Sequence, residues 1–181
     1  MSDGRPFDPP SPFIAAWAAD LSRLGREPRR ALDVAMGRGR HALLLAEAGF
    51  RVFGVDERFE ATRDAAHQAA ARGLVVRAWC ADLTMYPLPR SLFDVIVVTR
   101  YLQRDLFGAI RNAVAPRGTV LYETFTEAQR ARGHGPTSPD HLLAPGELRS
   151  HFDGFEIVFY EEAQEPDAVA RIVAQKPAGS G

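Results

Sequence analysis

The feature that most constrains this chain is a regular alternation of short apolar runs with longer segments of helical periodicity. The apolar runs occupy residues 31–35, 51–55, 74–79, 93–98 and 118–125. The helical segments lie at 41–48, at 58–72 and around Leu106, Ile110 and Val114. Strands that alternate with helices are joined by right-handed crossovers into a parallel sheet covered on both sides. The sequence therefore predicts a doubly wound α/β fold.

The two ends of the chain depart from this alternation. Before the first strand, Phe13, Ile14, Trp17 and Leu21 recur at helical spacing, with Pro12 suited to the first helical position. After the fifth strand, the runs 155–160 and 169–174 are separated by a polar stretch too short for a crossover helix. They predict an antiparallel hairpin. The expected architecture is a mostly parallel, seven-stranded, Rossmann-like sheet that ends in this hairpin.

Length and composition limit the classes of protein to consider. A chain of 181 residues has room for one domain, expected to span 1–181 with flexible ends at 1–12 and 176–181. Its 22 Lys and Arg residues nearly balance 23 Asp and Glu residues, so no global field favours nucleic acid or an anionic membrane. No apolar run approaches the roughly 18 residues of a membrane helix. We expect no nucleic-acid or membrane partner.

Cysteine usage points to a reducing compartment. The single cysteine, Cys80, cannot form an internal disulfide, and its position beside Trp79 predicts a buried, inert thiol. No spacing of ligand residues is typical of a metal site. We therefore expect a cytoplasmic protein that holds no metal.

A glycine turn follows the first predicted strand, where doubly wound sheets bind their ligands. It contains Gly37 and Gly39, and the second strand ends at Asp56, 19 positions after Gly37. Two glycines let the backbone approach a ligand closely, and an acid at the end of the second strand can accept both hydroxyls of a ribose. This pattern predicts a ligand that contains a nucleoside.

The glycine turn alone does not show which nucleoside-containing ligand is bound. Gly37, Gly39 and Ala42 also satisfy the dinucleotide pattern Gly-x-Gly-x-x-Gly/Ala, which allows NAD(P). Asp33, four residues before the first glycine, would repel a pyrophosphate and hold an ammonium group. A purely structural interpretation is also open, in which Asp33 caps nearby amides and Asp56 caps a helix.

With these residues, the chain resembles the class I S-adenosylmethionine-dependent methyltransferases from about residue 11 to residue 176. The resemblance implies S-adenosylmethionine as cofactor and S-adenosylhomocysteine as product. It implies cofactor contacts after each of the first four strands, from Asp33, Ala35, Gly37, Gly39, Asp56, Glu57, Asp82, Leu83 and Thr99. Residues 32–46 with 49–52 look most like the small tellurite-resistance and thiol or oxyanion methyltransferase branch. One departure is Ala35-Met36, where the family often has Gly-Cys.

A methyltransferase also binds the molecule that receives the methyl group, the methyl acceptor. It is expected at the carboxyl ends of the fourth and fifth strands, and the residues predicted to contact it are Arg100, Tyr101, Tyr122 and Glu123. The amino-methyltransferase signature Asn/Asp-Pro-Pro-aromatic is absent after the fourth strand, which argues against a nucleic-acid amine and favours a small molecule. A thiolate needs no base, whereas a hydroxyl or amine can require one. The candidates for catalysis are His134 and His141, on a predicted lid at 126–144, and Tyr101.

Two other functions remain open at this point. The first is a non-catalytic module that binds S-adenosylmethionine. The second is an NAD(P)-dependent oxidoreductase, although Lys176 is the only lysine and no Tyr-x-x-x-Lys pair exists. The chain is expected to act as a monomer or a homodimer.

Overall fold

A single seven-stranded sheet organises the described part of the chain. The computed structural model describes residues 9–23 and 29–179. The strands are β1 (Arg30–Val34), β2 (Arg51–Asp56), β3 (Val76–Cys80), β4 (Phe93–Thr99), β5 (Val114–Phe125), β6 (Glu156–Ala163) and β7 (Val169–Gln175). Their order is β3-β2-β1-β4-β5-β7-β6, and β7 pairs antiparallel with both β5 and β6 while the other pairs are parallel. The predicted doubly wound fold and its terminal hairpin are confirmed.

The helices follow the predicted order, with one correction. They are α1 (Pro12–Ser22), α2 (Arg40–Glu47), α3 (Phe59–Ala71), α4 (Phe107–Ala113) and α5 (Glu147–Ser150). Val114, predicted to continue the helix marked by Ile110, is instead the first residue of β5 and pairs with Phe93. The reason is local, because Pro116 favours extended backbone at the residue before it and cannot continue a helix.

Helices cover both faces of the sheet. On one face Ile14, Ala42 and Ala65, from α1, α2 and α3, share a buried cluster with Val95 and Val97 of β4. On the other face α4 and α5 pack against the alternate residues of the same strand, and the buried cluster there includes Ile96, Val98, Phe107, Ile110 and Leu148. The central strand is therefore apolar on both sides, as a parallel strand between two helical layers must be.

The N-terminal helix spans from α2 to the terminal hairpin. The Phe13 and Trp17 rings lie 5.7 Å and 6.2 Å from the Phe159 ring of β6. The Ser11 backbone N–H donates to His41 Nε2 at 3.0 Å, which fixes the start of the helix. Of the ends predicted to be flexible, residues 1–8 and 180–181 lie outside the described residues. Lys176 is anchored, since its Nζ donates to two backbone carbonyls at the end of α4 and the start of β5.

The topology fixes where a ligand can bind. From β1 the chain adds β2 and then β3 toward one edge of the sheet. It then returns to place β4 on the other side of β1, so the strand order reverses between β1 and β4. Ligands of open α/β sheets bind at the carboxyl ends of the strands at this reversal. None of the helices in residues 9–23 and 29–179 is both long and apolar enough to span a bilayer.

Candidate functional site

A pocket of about 220 Å³ opens at the carboxyl ends of β1, β2, β3 and β4. Its lining combines backbone and side chains from the four strand ends: Ala35, Gly37, Val55, Asp56, Glu57, Arg58, Ala81, Asp82, Leu83, Arg100 and Tyr101. Six of the predicted cofactor residues and two of the predicted acceptor residues are in this set. The structure therefore brings together most of the predicted site.

Asp56 accepts hydrogen bonds that fix the glycine turn and the start of the next loop. Its Oδ2 accepts the Gly37 N–H at 2.8 Å and its Oδ1 accepts the Arg58 N–H at 3.0 Å. It does not cap α3, since Arg58 occupies the N-cap position without a side-chain cap. Arg58 Nε is a third donor, at 3.4 Å to Oδ1, from a side chain that is 66% exposed. A carboxylate has about four acceptor positions, so Asp56 retains one for a ribose hydroxyl, and movement of the Arg58 side chain would free a second.

The two predicted glycines have different roles. Gly37 has φ +54°, and a side chain there would meet only the Arg58 guanidinium, at 3.9 Å. Gly39, with φ +83°, precedes α2, and a Cβ there would lie 2.8 Å from the Ala65 Cβ. Gly39 thus permits close packing of α2 on α3 and lies outside the pocket lining. Ala35 lines the pocket with φ +52°, a left-handed conformation that glycine adopts freely and alanine disfavours.

Asp33 lies inside β1, outside the pocket lining, and one of its two carboxyl oxygens has a hydrogen-bond partner. It is 1% exposed, and its Oδ2 accepts the Ala42 N–H at 2.9 Å, so it does cap an amide of α2. Its Oδ1 is buried and has no hydrogen-bond partner among the described residues. Burial raises the pKa of Asp33 to about 7, against the lowering effects of the Ala42 N–H and the Arg40 charge. An unpartnered buried oxygen of this kind suits a cationic N–H donor.

His41 links α1 to the end of β4, a role that the sequence did not reveal. The ring is buried, and Nε2 accepts the Ser11 N–H at 3.0 Å. Nδ1 must then carry the proton, which it donates to Thr99 Oγ1 at 3.0 Å. Burial lowers the pKa of His41 to about 3, so the ring stays neutral. Thr99, a predicted cofactor residue, is held by this contact and is not part of the pocket lining.

Asp82 and Leu83 form the wall on the β3 side. Asp82 Oδ1 accepts the Thr84 N–H at 2.8 Å and the Thr84 hydroxyl at 2.7 Å, and these bonds lower the pKa of this exposed acid. Asp82 thus starts a turn and also lines the pocket. Cys80, before this turn, is exposed, and its thiol donates to the Glu57 carbonyl at 3.2 Å. The prediction of a buried thiol was wrong because β3 is an edge strand.

The predicted acceptor residues separate into two groups. Arg100 and Tyr101 line the pocket, whereas Tyr122 is 1% exposed in the core beside Phe107. The Tyr122 hydroxyl donates to the Tyr101 carbonyl at 2.9 Å, so it supports the pocket from beneath. Glu123 faces the opposite side of the sheet and accepts Arg171 Nε at 2.6 Å. Successive residues of a strand point to opposite faces, so at most one of this pair could have faced the acceptor.

The segment at 126–144, predicted as a lid, is packed against the domain. Leu142 and Leu143 are buried, and Thr126 pairs with Leu143. Gln129 is fully buried, donating to the His134 carbonyl at 3.0 Å and accepting the Ala168 N–H at 2.7 Å. The segment is therefore anchored to the domain at Gln129, Leu142 and Leu143, and its role as a lid stays a prediction.

The two predicted catalytic histidines lie on this segment but away from the pocket lining. His134 is exposed, with Nδ1 3.0 Å from the Arg132 carbonyl and Nε2 3.0 Å from Asp167 Oδ1. The Asp167 carboxylate and the Arg132 carbonyl raise the pKa of His134. His141 is exposed in a short turn at Pro139–His141. Across residues 9–23 and 29–179, no cluster of three His, Cys, Asp or Glu side chains has the geometry of a metal site.

Comparison with known proteins agrees with this geometry. Residues 31–118 match the family described as a methyltransferase domain. A segment of 115 residues is 40% identical to a demethylmenaquinone methyltransferase of Thermus thermophilus, covering 60% of this chain and 52% of that protein. The chain thus spans about half the length of this curated relative.

Solved structures of similar fold cover most of the chain. TehB from Haemophilus influenzae superimposes with a TM-score of 0.72 at 19% identity, over 89% of this chain and 62% of that one. An S-adenosylmethionine-dependent methyltransferase from Mesorhizobium loti gives a TM-score of 0.68 at 19% identity, over 90% of this chain and 98% of that one. At such identities the likeness establishes the fold.

Proposed function

We propose that this chain, whose residues 31–118 match a methyltransferase domain, is a class I S-adenosylmethionine-dependent methyltransferase that transfers the sulfonium methyl group of S-adenosylmethionine to a small-molecule acceptor. The observation that carries the proposal is the pair of acids around one glycine turn. Asp56 bonds Gly37 at the pocket wall, and Asp33, buried outside the lining, has one oxygen without a partner among the described residues. These acids suit the two polar ends of the cofactor, the ribose hydroxyls and the methionine ammonium.

The other lining residues fit the remainder of the cofactor. Leu83 and Ala81 offer an apolar wall for the adenine ring, and the open side of Gly37 allows close approach to the backbone. The unpartnered Asp33 Oδ1 also argues against NAD(P), because a pyrophosphate at the glycine turn would meet a buried acid. The proposal therefore favours S-adenosylmethionine over a dinucleotide.

When bound, the cofactor supplies an electrophilic methyl carbon, from which the C–S electron pair leaves to give neutral S-adenosylhomocysteine. The task of this chain is to align the acceptor with that carbon and to exclude water. Among the three predicted catalytic side chains, Tyr101 alone lines the pocket. Burial and nearby carboxylates raise the pKa of Tyr101, so its hydroxyl is neutral at neutral pH. The hydroxyl donates its proton to Gln103 Oε1, so it meets an acceptor through its oxygen lone pairs or after that bond is exchanged. This arrangement favours an acceptor that arrives as an anion or loses its proton to water.

The finer statements on substrate, location and assembly belong to the same proposal. The fold-level likeness to TehB supports the narrower resemblance to the tellurite-resistance branch, and the name of the Thermus relative makes demethylmenaquinone an acceptor to screen. The lone, exposed thiol of Cys80 supports a reducing, cytoplasmic location. We propose a monomer or homodimer with no nucleic-acid partner.

Calorimetric titration with S-adenosylhomocysteine tests the proposal. The wild-type chain should bind it in the micromolar range and show no heat with NADH. Asp56→Ala should lose at least tenfold in affinity, while Glu60→Ala, an exposed acid on α3, should bind like wild type. Thermal melting of each variant separates lost binding from lost folding. Wild-type affinity in Asp56→Ala, or tighter binding of NADH, would contradict the assignment.

A non-catalytic binding module remains the alternative, favoured by the absence of His134 and His141 from the pocket lining. Such a module would bind S-adenosylhomocysteine as predicted. It would show no consumption of S-adenosylmethionine with demethylmenaquinol or with small thiol and carboxylate acceptors. Turnover with any of them excludes it.

A further inference from the structure

Arg100 occupies an unusual position at the mouth of the pocket. It follows β4 directly, lines the pocket and has φ +51°, a left-handed conformation that a side chain disfavours. Its backbone N–H donates to the Glu123 carbonyl at 2.8 Å, which holds the residue in this conformation. Unfavourable backbone conformations persist where the surroundings impose them, and they cluster at functional sites. Here the conformation places the Arg100 side chain on the pocket wall.

The Arg100 guanidinium is not engaged in close pairing. Its side chain is 47% exposed, and its carbon lies 5.9 Å from the centre of the Phe125 ring. Its ion pair with Asp167 Oδ2 spans 3.6 Å, which is longer than a hydrogen bond. Within residues 9–23 and 29–179 the guanidinium makes no side-chain hydrogen bond of normal length. Up to five N–H donors are thus available for an incoming group.

Asp167 lies closer to His134 than to Arg100. Its Oδ1 lies 3.0 Å from His134 Nε2, while the other His134 nitrogen lies 3.0 Å from the Arg132 carbonyl. The carboxylate is therefore oriented by His134 and stands beside Arg100 without chelating it. The ion pair partly offsets the Arg100 charge but leaves the guanidinium N–H groups open to an anion that competes with Asp167.

Charge divides the pocket into two sides. Asp56, Glu57 and Asp82 line the β2 and β3 side, which the proposed function assigns to the cofactor. The other cation of the lining, Arg58, is bonded to Asp56 through its backbone N–H and its Nε, at 3.0 Å and 3.4 Å. On the β4 side Arg100 stands beside the neutral Tyr101 hydroxyl. An anion is therefore attracted only to the β4 side, and a guanidinium matches the planar shape of a carboxylate.

We infer that Arg100 selects the methyl acceptor, and that the acceptor carries a carboxylate or a similar oxyanion that binds this guanidinium in competition with Asp167. The inference rests on the proposed function, since it assigns the second half of the same pocket. It names a substrate class: small organic acids whose nucleophilic atom reaches the cofactor while the carboxylate rests on Arg100.

Binding of benzoate to the chain saturated with S-adenosylhomocysteine tests the inference. NMR line broadening of the probe reports its affinity, and benzyl alcohol is the uncharged probe of matching shape. Benzoate should bind the wild-type chain and benzyl alcohol should bind at least tenfold more weakly. Arg100→Gln should weaken benzoate at least tenfold and leave S-adenosylhomocysteine affinity within threefold. Arg63→Gln, which removes an arginine of similar exposure on α3, should change neither.

Asp167→Asn provides a second, opposite test. It removes the competing carboxylate, so benzoate should bind two- to fivefold more tightly. Failure of benzoate to bind the loaded wild-type chain, equal binding of benzyl alcohol, or wild-type benzoate affinity in Arg100→Gln would each overturn the inference and leave the proposed function intact. Failure of S-adenosylhomocysteine itself to bind would instead overturn the proposed function, and the inference with it.

Discussion

Replacing Asp33 by asparagine should stabilise the ligand-free protein and abolish cofactor binding. The Asp33 carboxyl is buried, with one oxygen bonded to the Ala42 N–H and the other without a partner among the described residues. Asparagine has nearly the same shape, and its carbonyl oxygen can still accept the Ala42 N–H. The substitution therefore removes the buried charge and keeps the packing. It also removes the group proposed to hold the methionine ammonium.

The size of the effect follows from the pKa. Burial raises the pKa of Asp33 from 3.8 to about 7, and each pKa unit corresponds to about 1.36 kcal/mol. Ionising this group in the folded state thus costs on the order of 4 kcal/mol, a large part of the 5–15 kcal/mol that typically stabilises a domain. Because the folded pKa is the higher one, the penalty is absent below about pH 4 and grows as pH rises. It is complete above about pH 7.

Urea denaturation of the ligand-free protein at pH 8 and pH 5 provides the assay. Asp33→Asn should raise the free energy of unfolding by about 2 to 4 kcal/mol at pH 8, and by clearly less at pH 5, where the wild-type group is largely protonated. Asp20→Asn, an exposed position on α1, should change stability by less than about 0.5 kcal/mol at either pH. A loss of stability at pH 8, or a gain that does not depend on pH, would refute the reasoning.

Three further predictions concern the same turn. Ala35→Gly should raise the free energy of unfolding by about 1 kcal/mol in a urea titration, because φ +52° disfavours alanine; no gain would contradict this. Gly39→Ala should lower the melting temperature by several degrees through its clash with Ala65, and an unchanged melting temperature would count against that packing role. Binding of S-adenosylhomocysteine at pH 6.5 should release protons from Asp33, giving a calorimetric enthalpy that depends on the buffer; equal enthalpies in phosphate and Tris would refute this.

Much of the fold was predictable because a parallel strand buried on both faces has a distinctive sequence. The run at 93–98 is apolar at both alternating sets of positions, which indicates a central strand. Once the strands are parallel, their carboxyl ends share one edge, and residues that follow separate strands must meet there. This is why Gly37, Asp56, Asp82 and Arg100 were placed at one site by the sequence and are found around one pocket.

The remaining contacts depend on which elements pack together in three dimensions. The alternation of β5 indicates that Tyr122 and Glu123 face opposite ways, but not which face carries α4 and which carries α1. The contact between His134 and Asp167 joins positions 33 residues apart, and it exists because the β6–β7 hairpin returns beside β5. The sequence does not show that this hairpin lies next to Arg100, so it could not identify Asp167 as a neighbour of the pocket.

The central claim is that one pocket at the ends of β1, β2 and β3 holds the cofactor between two acids. A crystal structure of the protein with S-adenosylhomocysteine tests it most directly. The account predicts both ribose hydroxyls within hydrogen-bond distance of Asp56, and the methionine amine bonded to Asp33 Oδ1, which has no partner within residues 9–23 and 29–179. Ligand bound elsewhere, or bound here with its ribose away from Asp56, would contradict it.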